Sequence, residues 1–354
     1  MHERTAPIAS SSDGDTRSWI EPATAGGDDS HPLSDEQVAA WRIHAAVVVD
    51  GLVPIELVRA ARAAAADTFA ASNVADFGSG GRFVFPSDVT ALNEITLHPR
   101  LLHGVAQLLG CGVRSLRLTQ SDLWAKQGRT ANPDDPFDNA DQRIHVDYPN
   151  HSLTHPPPWD EPDAVEMIIY ADDVRLCDGA TAVVRRTGVG DPAYPWPIVD
   201  TPGVGGLPWI NDRASAELLL ADLAPDVERF RAEHLYAREQ HVRYRPGTVL
   251  LYRHDTWHRG TPIRPGVMRV VQNLTFRKAA SEWIGTIHEG WAWSMYRPTG
   301  TMERLVATSS VDQRCVLGIP APGHPSWTAA MIDAMEARYG PHGIDMTEYR
   351  AANG

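Results

Sequence analysis

RIHVDYP, residues 143–149, and YRHDTWHRGTPIRPGVMRVVQNLTFR, residues 252–277, are the stretches that decide how this chain folds. In a β-strand, residues i and i+2 point to the same side. The first stretch therefore predicts a strand that carries His145 and Asp147 on one face and apolar side chains, directed toward a core, on the other. A solvated polar strand face explains a His-x-Asp pair equally well when the pair stands alone.

The second stretch predicts two strands joined by a turn. Residues 247–258 begin with Gly and continue into a Val- and Leu-rich segment, residues 260–266 are dense in Gly and Pro, and residues 267–276 are rich in β-branched residues. A hairpin at this turn would bring Arg269 beside His258. An arginine on the inner face of a buried strand needs an anionic partner, either a structural carboxylate or a ligand.

Together these residues have the composition of an iron site. Two imidazoles and one carboxylate can occupy one face of an Fe(II) octahedron and leave three positions for a bidentate co-substrate and O2. His145, Asp147 and His258 supply that set, and the fork of donors on Arg269 can anchor a second carboxylate of the co-substrate. The sequence predicts a non-haem iron, 2-oxoglutarate-dependent oxygenase with these three residues as metal ligands and catalytic residues.

The same motifs resemble the phytanoyl-CoA dioxygenase family of iron and 2-oxoglutarate oxygenases. That family has His-x-Asp, a distant His and an Arg eleven residues after it, the spacing of His145, Asp147, His258 and Arg269. The resemblance covers roughly residues 33–278. It includes three further segments that match the opening helix and strand, the next helix, and the strand pair after His-x-Asp of that family: residues 33–53, 98–110 and 167–184.

The resemblance implies a mainly β fold with flanking helices, a double-stranded β-helix of the jelly-roll or cupin-like type. It implies Fe(II), 2-oxoglutarate and O2 as cofactor and co-substrates, and hydroxylation of a small organic molecule with release of succinate and CO2. Lys126 and Thr261 are the nearest matches to further co-substrate contacts, although Gly260 stands where the family often has Ser. Related halogenases have a small residue in place of the carboxylate, so Asp147 favours hydroxylation or another oxidation.

Composition agrees with an enzyme that acts on small molecules. The chain has 354 residues, is 43% hydrophobic and carries a formal charge of −13, which argues against nucleic-acid and anionic-membrane partners. The three cysteines form no CxxC pair or disulfide framework, as is typical of a cytoplasmic protein. The sequence has neither a signal peptide nor an apolar run long enough to span a bilayer.

The predicted organisation is one elaborated domain with two appendages. Residues 1–30 are predicted to be a disordered tail, residues 31–278 the double-stranded β-helix domain with its N-terminal helices, and residues 279–354 a Trp-rich extension. That extension packs on the same domain or forms a homodimer contact. The loops at 129–142 and 188–209 are long enough to serve as lids beside the site.

Two other functions fit the same residues. A His/Asp/His set can also hold Zn with an open position for water, as in a metal-dependent hydrolase, but this leaves Arg269 without a role. A non-catalytic, cupin-like protein that binds a small ligand also fits. The aromatic and proline content favours a neutral or apolar organic molecule as the small-molecule substrate.

Overall fold

A computed structural model describes residues 16–69, 83–132, 134–148, 152, 162–188, 190–194, 201–281, 301–316 and 319–353. Two β-sheets lie at the centre and helices flank them. The strands are β1 (Trp19–Ile20), β2 (Ala23–Thr24), β3 (Ala46–Asp50), β4 (Leu116–Gln127), β5 (Ala164–Tyr170), β6 (Thr181–Val183), β7 (Gln240–Val242), β8 (Val249–Tyr252), β9 (His258–Gly260) and β10 (Met268–Lys278). The α-helices are α1 (Asp35–His44), α2 (Ile55–Phe69), α3 (Thr90–Thr96), α4 (Pro99–Leu109), α5 (Val174–Cys177), α6 (Arg213–Leu223), α7 (Pro225–Phe230), α8 (Thr301–Thr308), α9 (Val311–Val316), α10 (Ala329–Tyr339) and α11 (Thr347–Asn353).

The chain passes repeatedly from one sheet to the other. The larger sheet has the order β2-β3-β8-β5-β10-β4, and the smaller has the order β1-β7-β6-β9. The expectation of sheets flanked by helices is confirmed. The predicted hairpin between the strands of His258 and Arg269 is wrong, because β9 and β10 belong to different sheets and the Gly/Pro-rich segment between them crosses from one sheet to the other.

The larger sheet is apolar on the face that packs against α2, α3 and α4. Val270, Leu274 and Phe276 of β10 join the same buried cluster as Leu101 and Val105 of α4. The residues between them along β10, at odd numbers from 269 to 275, point to the other sheet, as the two-residue period of a strand requires. The two sheets contact each other through a second cluster that includes Tyr170, Val183 and Leu250.

Side-chain caps begin α1 and α10. Ser34 caps α1 and forms a capping box with Gln37. Thr328 caps α10: its side chain accepts a hydrogen bond from the backbone N–H of Met331.

Regular structure is present near both ends of the chain, including part of the N-terminal segment that was predicted to be disordered. β1 and β2 lie within the segment predicted to be disordered, and they pair with β7 and β3. In the C-terminal extension, Trp327, Met335 and Tyr339 form a small apolar cluster of their own. All of the described helices fall short of the length and apolarity that crossing a membrane requires.

Candidate active site

Backbone hydrogen bonds bring His145 next to His258. His145 N donates to His258 O, and His258 N donates to His145 O, both at 2.9 Å. This mutual pair attaches the segment around His145 to the edge of the smaller sheet beside β9. The predicted alternation is confirmed, since Ile144 and Val146 point away from the ligands into a buried cluster, although this His–His pair is an isolated bridge and not part of a long strand.

Three ligand atoms converge at this point. The Nε2 atom of His145 lies 3.4 Å from Asp147 Oδ1, and that of His258 lies 3.2 Å from Asp147 Oδ2. One donor atom from each of the three residues lies within 4.8 Å of the others, and all three residues are buried. This is the size of site that a single metal ion occupies with two imidazoles and one carboxylate.

Each imidazole is oriented by a backbone carbonyl. His145 Nδ1 lies 3.2 Å from Arg143 O, and His258 Nδ1 lies 3.0 Å from Thr256 O. Because a carbonyl can only accept, both Nδ1 atoms carry the hydrogen and both Nε2 lone pairs face the shared point. Metal-binding histidines are commonly held in this way by their second nitrogen.

Burial and the charges of neighbouring residues shift the pKa values of His145, His258 and Asp147 in different directions. Burial, with the neighbouring His258, lowers the pKa of His145 to about 4. Burial also lowers the pKa of His258, but the carboxylate of Asp147 outweighs it and raises that pKa above its ordinary value. Burial opposes ionisation of Asp147, yet the charge of His258 holds the pKa of Asp147 well below its usual range. A metal ion held by these three residues would compete with protonation of His258.

Sequence reasoning missed the polar residues behind the carboxylate ligand. Tyr252 Oη donates to Asp147 Oδ2 at 2.9 Å. Glu166 lines the same cavity, and burial, together with the charge of Asp147, raises the pKa of Glu166 well above its usual range. His254 Nε2 lies 3.0 Å from Glu166 Oε1. The only sequence signal for Glu166 and Tyr252 is their place on the inner faces of β5 and β8.

A buried ion pair supports the back of the ligand segment. The Arg231 side chain, fully buried, donates to the Glu217 carboxylate at 2.8 Å and to Ile144 O at 3.2 Å. Tyr236 Oη donates to Glu217 at 2.7 Å and accepts from Ile144 N at 3.2 Å. These contacts tie the backbone next to His145 to α6 and the turn after α7.

Two cations lie side by side at one end of the cavity. Arg269 on β10 is directly opposite Lys126 on β4, so both side chains lie on the inner face of the larger sheet. Both are buried and both line the cavity that contains the triad. Arg269 donates to Gly179 O, while its Nε has no hydrogen-bond partner among the described residues. Such a pair suits the far carboxylate of a dicarboxylic ligand.

Gly260 and Thr261 have different surroundings. A Cβ at Gly260 would lie 3.7 Å from Lys126 Nζ, so the lysine occupies the space beside this glycine. Thr261 is buried and donates to Ala180 O at 2.7 Å. Its hydroxyl is thus occupied by the backbone, and its contact with a co-substrate stays a prediction.

The cavity has a volume of about 270 Å³ and lies between the two sheets. Trp124 of β4 lines it. Trp257 and Tyr148, which are next to triad residues in the sequence, are instead part of a buried apolar cluster. Phe137 and Trp209, from the two long loops predicted as lids, also line the cavity.

No protein-family model and no curated protein matches the sequence. Several solved structures are similar to it at low identity. The non-heme alpha ketoglutarate dependent carbocyclase SnoK from nogalamycin biosynthesis is 18% identical, with a TM-score of 0.48 over 72% of this chain and 87% of that one. EvdO2 from Micromonospora carbonacea var. aurantiaca is 11% identical, with a TM-score of 0.48 over 70% of this chain and 91% of that one. AviO1 from Streptomyces viridochromogenes Tue57 is 14% identical, with a TM-score of 0.45 over 69% and 95%.

These neighbours include non-heme, alpha ketoglutarate-dependent enzymes with different reactions. One is described as a carbocyclase, one as an epimerase and one as a monooxygenase. The epimerase SnoN has been solved with Fe3+ and alpha ketoglutarate, and EvdO2 with 2-oxoglutarate. At these identities and TM-scores the likeness assigns none of these reactions to this chain.

Proposed function

We propose that this chain is an Fe(II)- and 2-oxoglutarate-dependent oxygenase that hydroxylates a small organic molecule. One observation carries the proposal: the cavity that contains the buried His145, Asp147 and His258 set also contains the paired cations Arg269 and Lys126. The first set fits Fe(II) with open positions. The second fits the far carboxylate of 2-oxoglutarate, a role that a hydrolytic zinc site would leave unused.

Each of these residues has a defined task in the proposed reaction. When bound, Fe(II) with 2-oxoglutarate and O2 supplies the oxidation, and succinate and CO2 are released. The two imidazoles and Asp147 hold the metal, and Tyr252 orients the carboxylate through its 2.9 Å hydrogen bond. Arg269 and Lys126 fix the co-substrate. The buried walls exclude water from the reacting carbon.

We further propose that the two sheets are the halves of a double-stranded β-helix and that the chain is a distant member of the phytanoyl-CoA dioxygenase family. The repeated crossings of the chain between the sheets from β5 to β10 and the spacing of the four motif residues support this. Cytoplasmic location, a homodimer and the three-part division of the chain stay predictions of the sequence.

Anaerobic titration with Fe(II) and 2-oxoglutarate tests the function before a substrate is known. Wild-type protein should develop the weak visible charge-transfer band of the iron-bound keto acid. His145→Ala should lose it, because one of the ligands that hold the metal is removed. His31→Ala is the matched control, since the His31 side chain is 75% exposed and lies outside the site. Folded, metal-loaded wild type without a band would contradict the proposal and favour a hydrolase or a binding protein.

A further inference from the structure

The C-terminal extension reaches the chain next to one of the candidate metal ligands. The side chain of Arg338, on α10, donates through Nη1 to Ser152 O at 2.9 Å. The two residues are 186 positions apart in the sequence, and they are 1% and 0% exposed. Burying a guanidinium is costly, so this contact is a fixed part of the fold and needs support from its surroundings.

A backbone link joins Ser152 to the carboxylate ligand. Ser152 N donates to Tyr148 O at 3.0 Å, and Tyr148 is the residue after Asp147. The backbone N–H groups of Asp147 and Tyr148 both donate to His254 O, each at 3.1 Å. The chain at Asp147 is therefore held from two directions. One support is the segment after β8, and the other is the backbone link that Arg338 holds at Ser152.

The residues after α10 also lie beside the long loop before α6, residues 201–212. A Cβ at Gly206 would lie 3.8 Å from Pro341 Cγ, an ordinary van der Waals distance. Further along this loop, Asn211 lines the cavity, and its carbonyl accepts from the backbone N–H of Arg143 at 2.8 Å. Arg143 belongs to the segment that carries His-x-Asp. The extension thus meets that segment directly at Ser152 and indirectly through the loop.

The helix that carries Arg338 is firmly packed. Thr328 caps the first turn of α10, and Met335 and Tyr339 of the same helix belong to the apolar cluster of the extension. The guanidinium carbon of Arg338 lies 5.0 Å from the centre of the Tyr339 ring, a cation–π distance. The donor to Ser152 O is therefore a side chain in a defined place, which can transmit the position of the helix to the chain beside the metal site.

We propose that Arg338 is a positioning residue for the metal site. Its contact with Ser152 fixes the chain after Asp147 and thereby sets the place of the carboxylate relative to the two imidazoles. Arg338 lies outside the cavity, so it acts through the backbone link and not by contact with a ligand. The inference rests on the metal site of the proposed function and gives the C-terminal extension a task in it.

Titration of the full chain with Co(II) tests the positioning role without turnover. The visible d–d bands of bound Co(II) report the arrangement of its ligands, and the titration gives its dissociation constant. Arg338→Met keeps an unbranched side chain and removes the charge and its donors. It should weaken Co(II) binding about 3- to 10-fold and change the intensity of the bands. This is less than the roughly 10- to 100-fold loss typical of a residue bonded directly to a metal ligand, because Arg338 acts one step further out.

Arg314→Met is the matched control, because Arg314 is a similarly buried arginine whose printed bonds stay within the extension. It is 4% exposed and donates to three backbone carbonyls at 3.0 Å, those of Val306, Ala307 and Asp345. Loss of these bonds should lower the melting temperature at least as much as Arg338→Met does. Its Co(II) affinity and bands should nevertheless remain those of wild type. A purely structural effect of the extension would instead change both variants together.

Arg338→Lys keeps a cation and a donor for Ser152 O and should lose only about two- to threefold in Co(II) affinity. It carries the test if Arg338→Met does not fold. Co(II) affinity and bands equal to wild type in the Arg338 variants would overturn the positioning role, and so would equal losses in Arg338→Met and Arg314→Met. Wild type that binds Co(II) but shows no Fe(II) and 2-oxoglutarate band would refute the oxygenase function alone, since the Co(II) comparison depends only on the metal site.

Discussion

Replacing Arg269 by Met should remove the preference of the site for a dicarboxylic keto acid. The substitution keeps an unbranched side chain of similar reach and removes the charge and its donors. Arg269 is only 8% exposed, so its guanidinium would meet the far carboxylate of 2-oxoglutarate with little competition from water. Lys126, directly opposite on β4, would remain.

The size of the effect follows from burial. Removing one partner of a buried, hydrogen-bonded charge pair costs about 2–5 kcal/mol, or about 30-fold to several thousand-fold in affinity. Because Lys126 keeps one positive charge on the same face, we expect the lower end, about 30- to 100-fold weaker binding of 2-oxoglutarate. Loss of the hydrogen bond from Arg269 to Gly179 O would disturb the site for any ligand, so a second ligand is needed.

Anaerobic titrations with 2-oxoglutarate and 2-oxopentanoate isolate the carboxylate contact. The second ligand has the same chain length, with a methyl group in place of the far carboxylate. The dissociation constant of 2-oxopentanoate divided by that of 2-oxoglutarate should fall at least about tenfold from wild type to Arg269→Met. Arg264→Met, at a half-exposed arginine on the segment before β10, should leave the ratio unchanged. Equal losses for both ligands in Arg269→Met would refute the assignment and leave Arg269 a structural role.

Three further outcomes are expected. Tyr252→Phe should weaken Fe(II) binding about 10- to 100-fold, because Asp147 loses its 2.9 Å hydrogen bond. Tyr194→Phe, the same change outside the cavity, should leave Fe(II) affinity unchanged, and equal affinities of the two variants in competition with a chelating dye would contradict this. Asp191→Asn should cost about 2–3 kcal/mol of unfolding free energy at pH 7, since the buried carboxylate of Asp191 accepts from Arg238 at 2.6 and 2.7 Å. Although burial opposes it, these bonds hold the pKa of Asp191 below its ordinary value. In denaturant melts, the difference in unfolding free energy between wild type and Asp191→Asn should therefore narrow as the pH falls below about 4, and a difference independent of pH would refute the ion pair. Fe(II) at about 100 times its dissociation constant should stabilise the protein by about 2.7 kcal/mol in anaerobic thermal melts, reversed by chelator, and a melting temperature indifferent to metal would count against the site.

The sequence predicts that His145, Asp147 and His258 come together because strand geometry and ligand chemistry are both local. His145 and Asp147 share a face by two-residue spacing, and the spacing to His258 and Arg269 is itself a pattern. The predicted hairpin failed because a Gly/Pro-rich segment shows that the chain turns but not which sheet receives the next strand.

The residues that sequence reasoning missed are those placed by tertiary contact. Tyr252 and Glu166 face the triad because β8 and β5 are neighbours in the larger sheet, a pairing that no local pattern encodes. The two long loops were predicted to be lids from their length alone, and this stays a prediction. Their inward residues follow from hydrogen bonds between Asn211 and residues 136 and 143, which lie about 70 positions earlier in the chain.

The ladder between β4 and β10 separates the two ends of the cavity chemically. Its inner face runs from the pair Arg269 and Lys126 to the pair Thr275 and Gln120, six residues along β10 and, at about 3.4 Å per residue, about 20 Å away. The charged end matches a small dicarboxylate, whereas the far end presents a hydroxyl and an amide. In the proposed reaction a substrate and 2-oxoglutarate would be bound at the same time, so substitutions at the neutral end would change substrate binding and leave the co-substrate contacts intact. Gln120 is therefore the position at which a change of substrate preference, with an unchanged charge-transfer band, is most directly expected.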